Sequence, residues 1–255
     1  MNWQTGDLTE NEGSIFYTRK NGIFTYQLNY NWLDEGSIEG YDEWGNETGK
    51  TYEPLSQMIA MSIAFPLKHI SFGATIKFVS DNLADDEGDR TAFGGAFDWG
   101  LLWQSSSKSF GFALAAKDFG CIFRDYVDDD ENKNYAMSQT FTISGYMRPK
   151  IARRLTLFTA SDFPRYADAT LDLGAEYSLG KSFAVRAGFT RTWIDLIRDF
   201  KELAASDERP SESNEAHMIS AGLGYNTSLF TIDYAFSYLT QGLGLEHRIG
   251  LNVSF

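Results

Sequence analysis

The segment that closes the chain, from Gly244 to Phe255, alternates between two kinds of side chain. One set of alternate positions holds Leu245, His247, Ile249, Leu251, Val253 and Phe255. The other set holds Glu246, Arg248, Gly250, Asn252 and Ser254. Because successive side chains of an extended strand point to opposite faces, this period of two predicts a strand that is mainly apolar on one face and polar or small on the other.

The same alternation recurs along the chain. We count about thirteen such runs, which we predict to be strands. They lie at approximately 13–18, 23–33, 55–65, 70–79, 91–103, 109–118, 137–148, 153–161, 169–178, 182–193, 215–226, 229–238 and 244–255. In each run an apolar face opposes a face of small or polar residues. The sequence therefore predicts an all-β chain.

The connections between these runs alternate between short and long. The short turns lie near 20–22, 66–69, 105–108, 149–152, 179–181 and 226–228, and Lys or Arg lies within or beside most of them. The long loops lie near 34–54, 80–90, 119–136, 162–168 and 194–214, with a shorter one at 239–243, and most of them are rich in Asp and Glu. Short turns at one rim and long loops at the other are typical of outer-membrane barrels. We predict a transmembrane, antiparallel, up-and-down β-barrel, in which the terminal Phe255 resembles the signal read by the barrel-assembly machinery.

Strand parity predicts the size of the barrel. Single-chain bacterial barrels have an even number of strands, so we expect about 14, with the first strand missing from this chain. The alternative is a miscount by one, or a poor strand within residues 1–12. We expect residues 1–255 to form a single outer-membrane barrel domain that lacks its signal peptide and an N-terminal strand or plug segment.

Composition excludes several classes of function. A net charge of −13 and a pI near 4.6 argue against nucleic-acid binding, which needs clustered cations. The histidines at 69, 217 and 247 lack the spacing of metal ligands, and His217 could join nearby serines in a catalytic triad only by chance. The acidic run at 125–132 lacks the spacing of a calcium loop. We therefore expect no enzyme activity, no metal and no cofactor.

Two stretches of the sequence carry a family resemblance. GSIEGYDEWGNETGKTYEPLSQMIAMSIAFPL and ISFGATIKFVSDNLADDEGDRTAFGGAFDWGLLW, within residues 36–103, resemble the PorV/PorQ family of outer-membrane proteins, relatives of the FadL fold. The run IDYAFSYLTQGLGLEHRIGLNVSF is similar to the last two strands of that family. The resemblance implies a role in type IX protein secretion at the outer membrane of a Gram-negative bacterium. The implied partners are outer-membrane lipid and either a secretion translocon or secreted proteins with a C-terminal signal domain. FadL-like relatives instead admit hydrophobic molecules, and that remains the alternative.

Two groups of residues are candidate sites. The first is a polar network facing the barrel lumen, read either as a conduit or, as we favour, as internal salt bridges that stiffen the barrel. It comprises Lys77, Asp98, Lys117, Asp172, Glu176, Arg186, Asp233, Glu246 and Arg248. The second is a set of loop aromatics predicted to bind a protein partner: Tyr41, Trp44, Tyr52, Trp193 and Phe200. Residues 194–204 further predict a short amphipathic helix, which caps the barrel, contacts a partner or, as we favour, packs into its own loop.

Overall fold

The computed structural model describes residues 2–5, 11–83, 91–126, 136–205, 217–239 and 244–254. These residues form β1 (Asn2–Thr5), β2 (Asn11–Asn21), β3 (Phe24–Asp34), β4 (Ile38–Tyr41), β5 (Glu47–Tyr52), β6 (Leu55–Pro66), β7 (Ile70–Asn82), β8 (Ala92–Gln104), β9 (Phe110–Arg124), β10 (Thr140–Met147), β11 (Leu155–Pro164), β12 (Thr170–Leu179), β13 (Phe183–Thr192), α1 (Trp193–Ala205), β14 (His217–Asn226), β15 (Phe230–Leu239) and β16 (Gly244–Val253). Within those ranges no helix has both the length and the apolar character needed to cross a membrane.

Fourteen of the described strands belong to one closed sheet. Its hydrogen-bonded order is β1-β16-β15-β14-β13-β12-β11-β10-β9-β8-β7-β6-β3-β2, while β4 and β5 pair only with each other. The ladders from β10 to β16 and from β1 to β7 are antiparallel. The predicted fold class, an antiparallel up-and-down barrel of about 14 strands, is confirmed.

The chain divides into two compact units. Unit 1 comprises Met1–Gly100 with Ala116–Gln139, and unit 2 comprises Leu101–Ala115 with Thr140–Phe255. In unit 1 the cross-strand pair Leu28 and Met61 is 51% and 65% exposed, whereas Ala60, next along β6, is 5% exposed. Large apolar side chains thus lie on the open face, which we call the outer face, and small or polar ones lie on the inner face.

Unit 2 repeats this division. On β14 the side chains of Ile219 and Leu223 are exposed on the outer face, while Ser220 between them faces inward and pairs with Gly188. A soluble domain would bury such side chains and expose the polar ones. Continuous rows of exposed aliphatic and aromatic residues are what a lipid-facing surface requires.

All thirteen predicted strands are present, most of them within about two residues of their predicted ends. The turn predicted at Asn21 and Gly22 is confirmed, since Gly22 has a φ of 61° between β2 and β3. Three features were not fully predicted. Residues 38–52, predicted as loop, contain the β4–β5 hairpin, and β9 runs six residues further than expected. The strand expected to be missing is represented by the short β1, which agrees with the alternative of a poor strand within residues 1–12. Phe255 lies outside the described residues.

Candidate functional site

The inner face of unit 2 contains a cavity of about 420 Å³. Its walls come from β8 to β14, where six inner positions carry only small side chains: Gly111, Ala113, Ala160, Gly174, Gly188 and Ser220. In unit 2 these residues border an open volume, because residues without long side chains cannot fill the space in front of the sheet.

Larger side chains give this cavity an apolar wall. Leu102, Tyr146 and Phe158 line it, and the rings of Tyr146 and Phe158 lie 6.5 Å apart, centroid to centroid. The Tyr146 hydroxyl accepts a hydrogen bond from Gln104 Nε2 at 2.8 Å, and the Arg148 guanidinium lies 5.7 Å from the centre of the same ring. These contacts hold the Tyr146 ring in place, so the aromatic wall is pre-formed.

A single carboxylate borders the same cavity. Asp172 on β12 lies directly opposite Thr190 on β13, whose hydroxyl donates a 2.6 Å hydrogen bond to Asp172 Oδ1. One carboxylate in a wall of small and apolar groups can orient a ligand that carries a polar end. Asp172 was predicted to face the lumen, and the structure places it there.

An ionic cluster centred on Arg186 lies on the same inner face of unit 2. Arg186 Nε donates to Glu176 Oε2 on the neighbouring strand at 2.8 Å, and Nη1 pairs with Asp233 Oδ1. To reach Asp233 on β15 the guanidinium must cross β14, where Gly224 lies opposite Asp233. A Cβ at Gly224 would lie 2.8 Å from Asp233 Oδ1 and 3.2 Å from both terminal nitrogens of Arg186. The missing side chain at Gly224 therefore gives the Arg186 side chain its path.

Unit 1 has its own ionic cluster, centred on Lys77. Lys77 Nζ lies 2.7 Å from Asp98 Oδ2 and 2.7 Å from Asp118 Oδ1, and the Lys77 side chain is 14% exposed. Asp118, which was not predicted, adopts a φ of 62° within β9, and its N–H donates to Asp98 Oδ1 at 2.8 Å. Aspartate tolerates this left-handed conformation better than most residues, but the sequence alone gives no sign that a strand residue will adopt it.

The remaining predicted network residues lie on β9 and β16. Glu246 and Arg248 lie on the same face of β16 and form an ion pair with a 2.6 Å separation. Lys117 is half-buried on β9. Seven of the nine predicted residues thus take part in described ion pairs, and an eighth, Asp172, accepts a hydrogen bond.

The predicted partner-binding aromatics fall in two separate elements. Tyr41, Trp44 and Tyr52 belong to the β4–β5 hairpin of unit 1, where Tyr41 and Trp44 are 58% and 77% exposed. Trp193 and Phe200 belong to α1 of unit 2. The predicted helix at 194–204 is confirmed by α1.

The hairpin loop is built around Asp42. Its carboxylate accepts hydrogen bonds from the Asn46 side chain and from the N–H groups of Asn46 and Trp44, at 2.8–3.0 Å. The side-chain bond from Asn46 contributes most to lowering the pKa of Asp42 below its usual value. These bonds hold the loop that presents Trp44 to the surroundings. The acidic segments at 84–90 and 127–135 lie outside the described residues.

Known structures share this fold. The toluene transporter TbuX of Ralstonia pickettii matches with a TM-score of 0.56 at 12% identity, over 93% of this chain and 78% of that one. A FadL homologue of Pseudomonas aeruginosa matches with a TM-score of 0.54 at 11% identity, over 96% of this chain and 75% of that one. CdiB of Acinetobacter baumannii matches with a TM-score of 0.52 at 8% identity over 98% of this chain, which spans only about half, 51%, of that protein.

No protein-family model and no curated protein matches the sequence. The structural neighbours include a FadL homologue and toluene transporters, at identities that establish the fold alone. They agree with the expected FadL-like architecture.

Proposed function

We propose that this protein is an outer-membrane barrel that admits small hydrophobic molecules, and that these molecules bind in the cavity of unit 2 as they pass. The observation that carries this proposal is the pre-formed wall of Leu102, Tyr146 and Phe158 beside a row of small inner residues. Such a wall binds apolar ligands through burial of their surface and selects little by hydrogen bonding.

The size and polarity of the cavity support the substrate class. Ligand sites for small molecules typically occupy about 300–1,000 Å³, and this cavity of about 420 Å³ lies toward the small end of that range. The one carboxylate among its lining residues, Asp172, accepts a hydrogen bond from Thr190, so one of its oxygens keeps a partner when an apolar ligand lies beside it. The FadL-like structural neighbours, among them a toluene transporter, support an outer-membrane location and this class of cargo.

The test is uptake of radiolabelled toluene by intact bacteria that produce the protein in place of their own hydrophobe channel. Ala160 lines the cavity, and Ala160→Trp should fill it and lower uptake several-fold. Ala187 faces outward on β13, and Ala187→Trp adds the same bulk on the outer face, so it is the matched control. Equal uptake by the two variants, at equal amounts of assembled barrel, would refute the cavity as a route.

A second candidate function is recognition of a protein partner by the β4–β5 hairpin, as in secretion. The observation that favours it is the 77% exposure of Trp44 on a loop held by Asp42. Trp44→Ala combined with Tyr41→Ala should release a partner that co-purifies with the wild-type protein from its native membrane. Tyr166→Ala is the control, since Tyr166 is an exposed aromatic of another connection. Retention of every partner by the double variant would exclude these two positions as the recognition site.

A further inference from the structure

Helix α1 exposes its apolar side chains to the surroundings. Trp193, Ile194, Ile197, Phe200 and Lys201 fall within one arc when residues are placed every 100°. Three apolar members of that arc are more than half exposed, Ile194 by 57%, Ile197 by 51% and Phe200 by 70%. The opposite arc carries Asp195, Arg198 and Asp199. A surface helix in water normally shows the reverse arrangement, with its apolar stripe against the protein.

The charged residues of α1 contact the end of β13 and one another. Arg191 on β13 pairs with Asp199 at 2.5 Å, and its own side chain is only 17% exposed. Within the helix, Arg198 pairs with Asp195 at 2.9 Å. Asp195 also accepts from the Thr192 hydroxyl and donates its N–H back to it, which caps the first turn. The Arg191–Asp199 pair and the Thr192 cap hold the charged arc beside β13, where Asp195 is only 14% exposed, while the apolar arc stays more exposed.

The register shows on which side of the sheet α1 is fixed. Arg191 lies opposite Leu171 and therefore shares the outer face of β13 with Val185, which is 40% exposed. Ser161 also lies opposite Leu171, from the other side, and its hydroxyl accepts a hydrogen bond from Trp193 Nε1 at 3.3 Å. Both attachment points of α1 are thus on the outer face of unit 2, the face that carries the exposed apolar rows.

We infer that α1 is a membrane-interface helix, which inserts Ile194, Ile197 and Phe200 into the lipid leaflet beside the long-loop rim. This inference rests on the membrane location in the proposed function, and it differs from the prediction that Trp193 and Phe200 bind a protein partner. The occupant follows from continuity, because the apolar arc extends the lipid-facing rows of β11 and β13 past the end of the sheet. Lys201, which lies between Ile197 and Ile194 on the arc, can extend its amine toward the headgroups while its stem stays in the apolar layer.

Site-directed spin labelling of the full chain tests this placement. The only cysteine of the sequence is Cys121, so Cys121→Ser gives a background for Ile194→Cys, Ile197→Cys and Phe200→Cys. The labelled proteins are placed in vesicles of phosphatidylethanolamine and phosphatidylglycerol, without any partner protein. Collision rates with oxygen, which concentrates in lipid, and with a water-soluble nickel chelate are then compared. We expect the oxygen-to-nickel ratio at all three positions to exceed, by several-fold, the ratio at Trp44→Cys in the β4–β5 hairpin.

Two strand positions separate failure of this inference from failure of the proposed function. Ile219→Cys reports the outer face of β14, and its neighbour Ser220→Cys reports the inner face. If Ile219 does not show the lipid signature, membrane insertion itself is wrong. If Ile219 shows it while the α1 positions collide freely with nickel, only the interface helix is wrong, and a docking surface for protein regains support. Low collision rates with both reagents at all three α1 positions would mean that the helix packs against its own loop, which also overturns the inference.

A charge substitution gives a second measurement that does not depend on labelling. Ile197→Glu on the exposed arc should move the helix out of the lipid, which is read as faster proteolysis of the 193–216 connection in vesicles. Arg198→Glu on the opposite arc is less informative because it breaks an ion pair. Lys201→Glu is the control, and it should have a smaller effect because that position already carries a charge and not an apolar side chain. Equal proteolysis of Ile197→Glu and the parent protein would contradict insertion.

Discussion

The two ionic clusters have the same stoichiometry but different surroundings. Each holds one cation between two carboxylates on an inner face, Lys77 in unit 1 and Arg186 in unit 2. The Lys77 side chain is 14% exposed, whereas that of Arg186 is 42% exposed. In unit 1 the charged groups of Lys77, Asp98 and Asp118 bind one another and are partly shielded from water. In unit 2 small residues leave both a path for the Arg186 side chain and an open cavity.

This difference separates a cluster that stabilises the fold, in unit 1, from a region with room for a ligand, in unit 2. A charge withdrawn from water depends on its partners, because its desolvation is repaid only by pairing. A charge that keeps contact with water is screened and contributes less. We therefore expect the Lys77 cluster to matter for stability, and the small inner residues of unit 2 to matter for ligand passage.

The largest effect is expected for Lys77→Met. The substitution leaves Asp98 and Asp118 facing each other without a cation, and we expect it to lower the free energy of unfolding by about 3 kcal/mol. The measurement is urea unfolding of the barrel in lipid vesicles. Lys68→Met, at an exposed turn position, is the control and should change little. A loss at Lys77 no greater than at Lys68 would show that burial does not distinguish the clusters.

Gly224→Ala should have the next largest effect. The new methyl group intrudes between Arg186 and Asp233, and overpacking of this kind costs about 1–3 kcal/mol. Gly250→Ala is the matched control, because its Cβ would meet only Asp233 Cβ, at an ordinary contact distance of 3.9 Å. In an Arg186→Met background the cost of Gly224→Ala should shrink, since the two residues share one contact. Additive losses would show that Gly224 does not act through the Arg186 path.

Arg186→Met alone should cost less than Lys77→Met. Solvent screens the half-exposed Arg186 pairs, so we expect a loss of about 1 kcal/mol in the same unfolding experiment. Salt sharpens the comparison, because added sodium chloride should weaken the Arg186 pairs more than the shielded Lys77 pairs. If Arg186→Met proves more costly than Lys77→Met, the ranking of the two clusters by exposure is wrong.

The smallest effect is a titration in unit 1. Burial, and then the hydrogen bond that Tyr126 donates to Asp81, raise the pKa of Tyr126 above its ordinary value of 10.0. The folded state favours the neutral phenol, so the stability from this contact is full below pH 10.0 and is lost as the pH rises further. Phenolate absorbance at pH 11 should therefore be the same for Tyr126→Phe and wild type.

Asp81→Asn supplies the opposing variant for this titration. It removes the charge that disfavours the phenolate, so it should increase phenolate absorbance at pH 11 relative to wild type. Loss of one tyrosine's absorbance in Tyr126→Phe at that pH would mean that Tyr126 ionises normally. The contact between Tyr126 and Asp81 would then contribute nothing to the stability of unit 1.

Particular residues show what could be read from the sequence. The alternation in β3 and β16 predicted strands because a strand repeats every two residues whatever lies beside it. Lys77, Asp98, Arg186 and Asp233 were assigned to the inner face for the same reason. The apolar spacing within residues 194–204 predicted α1, since helical period is a local property, whereas the Thr192 cap became visible only in the structure.

The sequence by itself therefore determined the strands, their two faces, the class of barrel and the residues available for ion pairing. Only the tertiary structure decided which ions pair, that Asp118 joins Lys77, and that Gly224 opens the path of Arg186. It also decided that Tyr146 and Phe158 border a cavity and that α1 attaches to the outer face. These outcomes depend on register between strands far apart in the chain, and a period of two fixes the face of a residue but not the neighbour it meets.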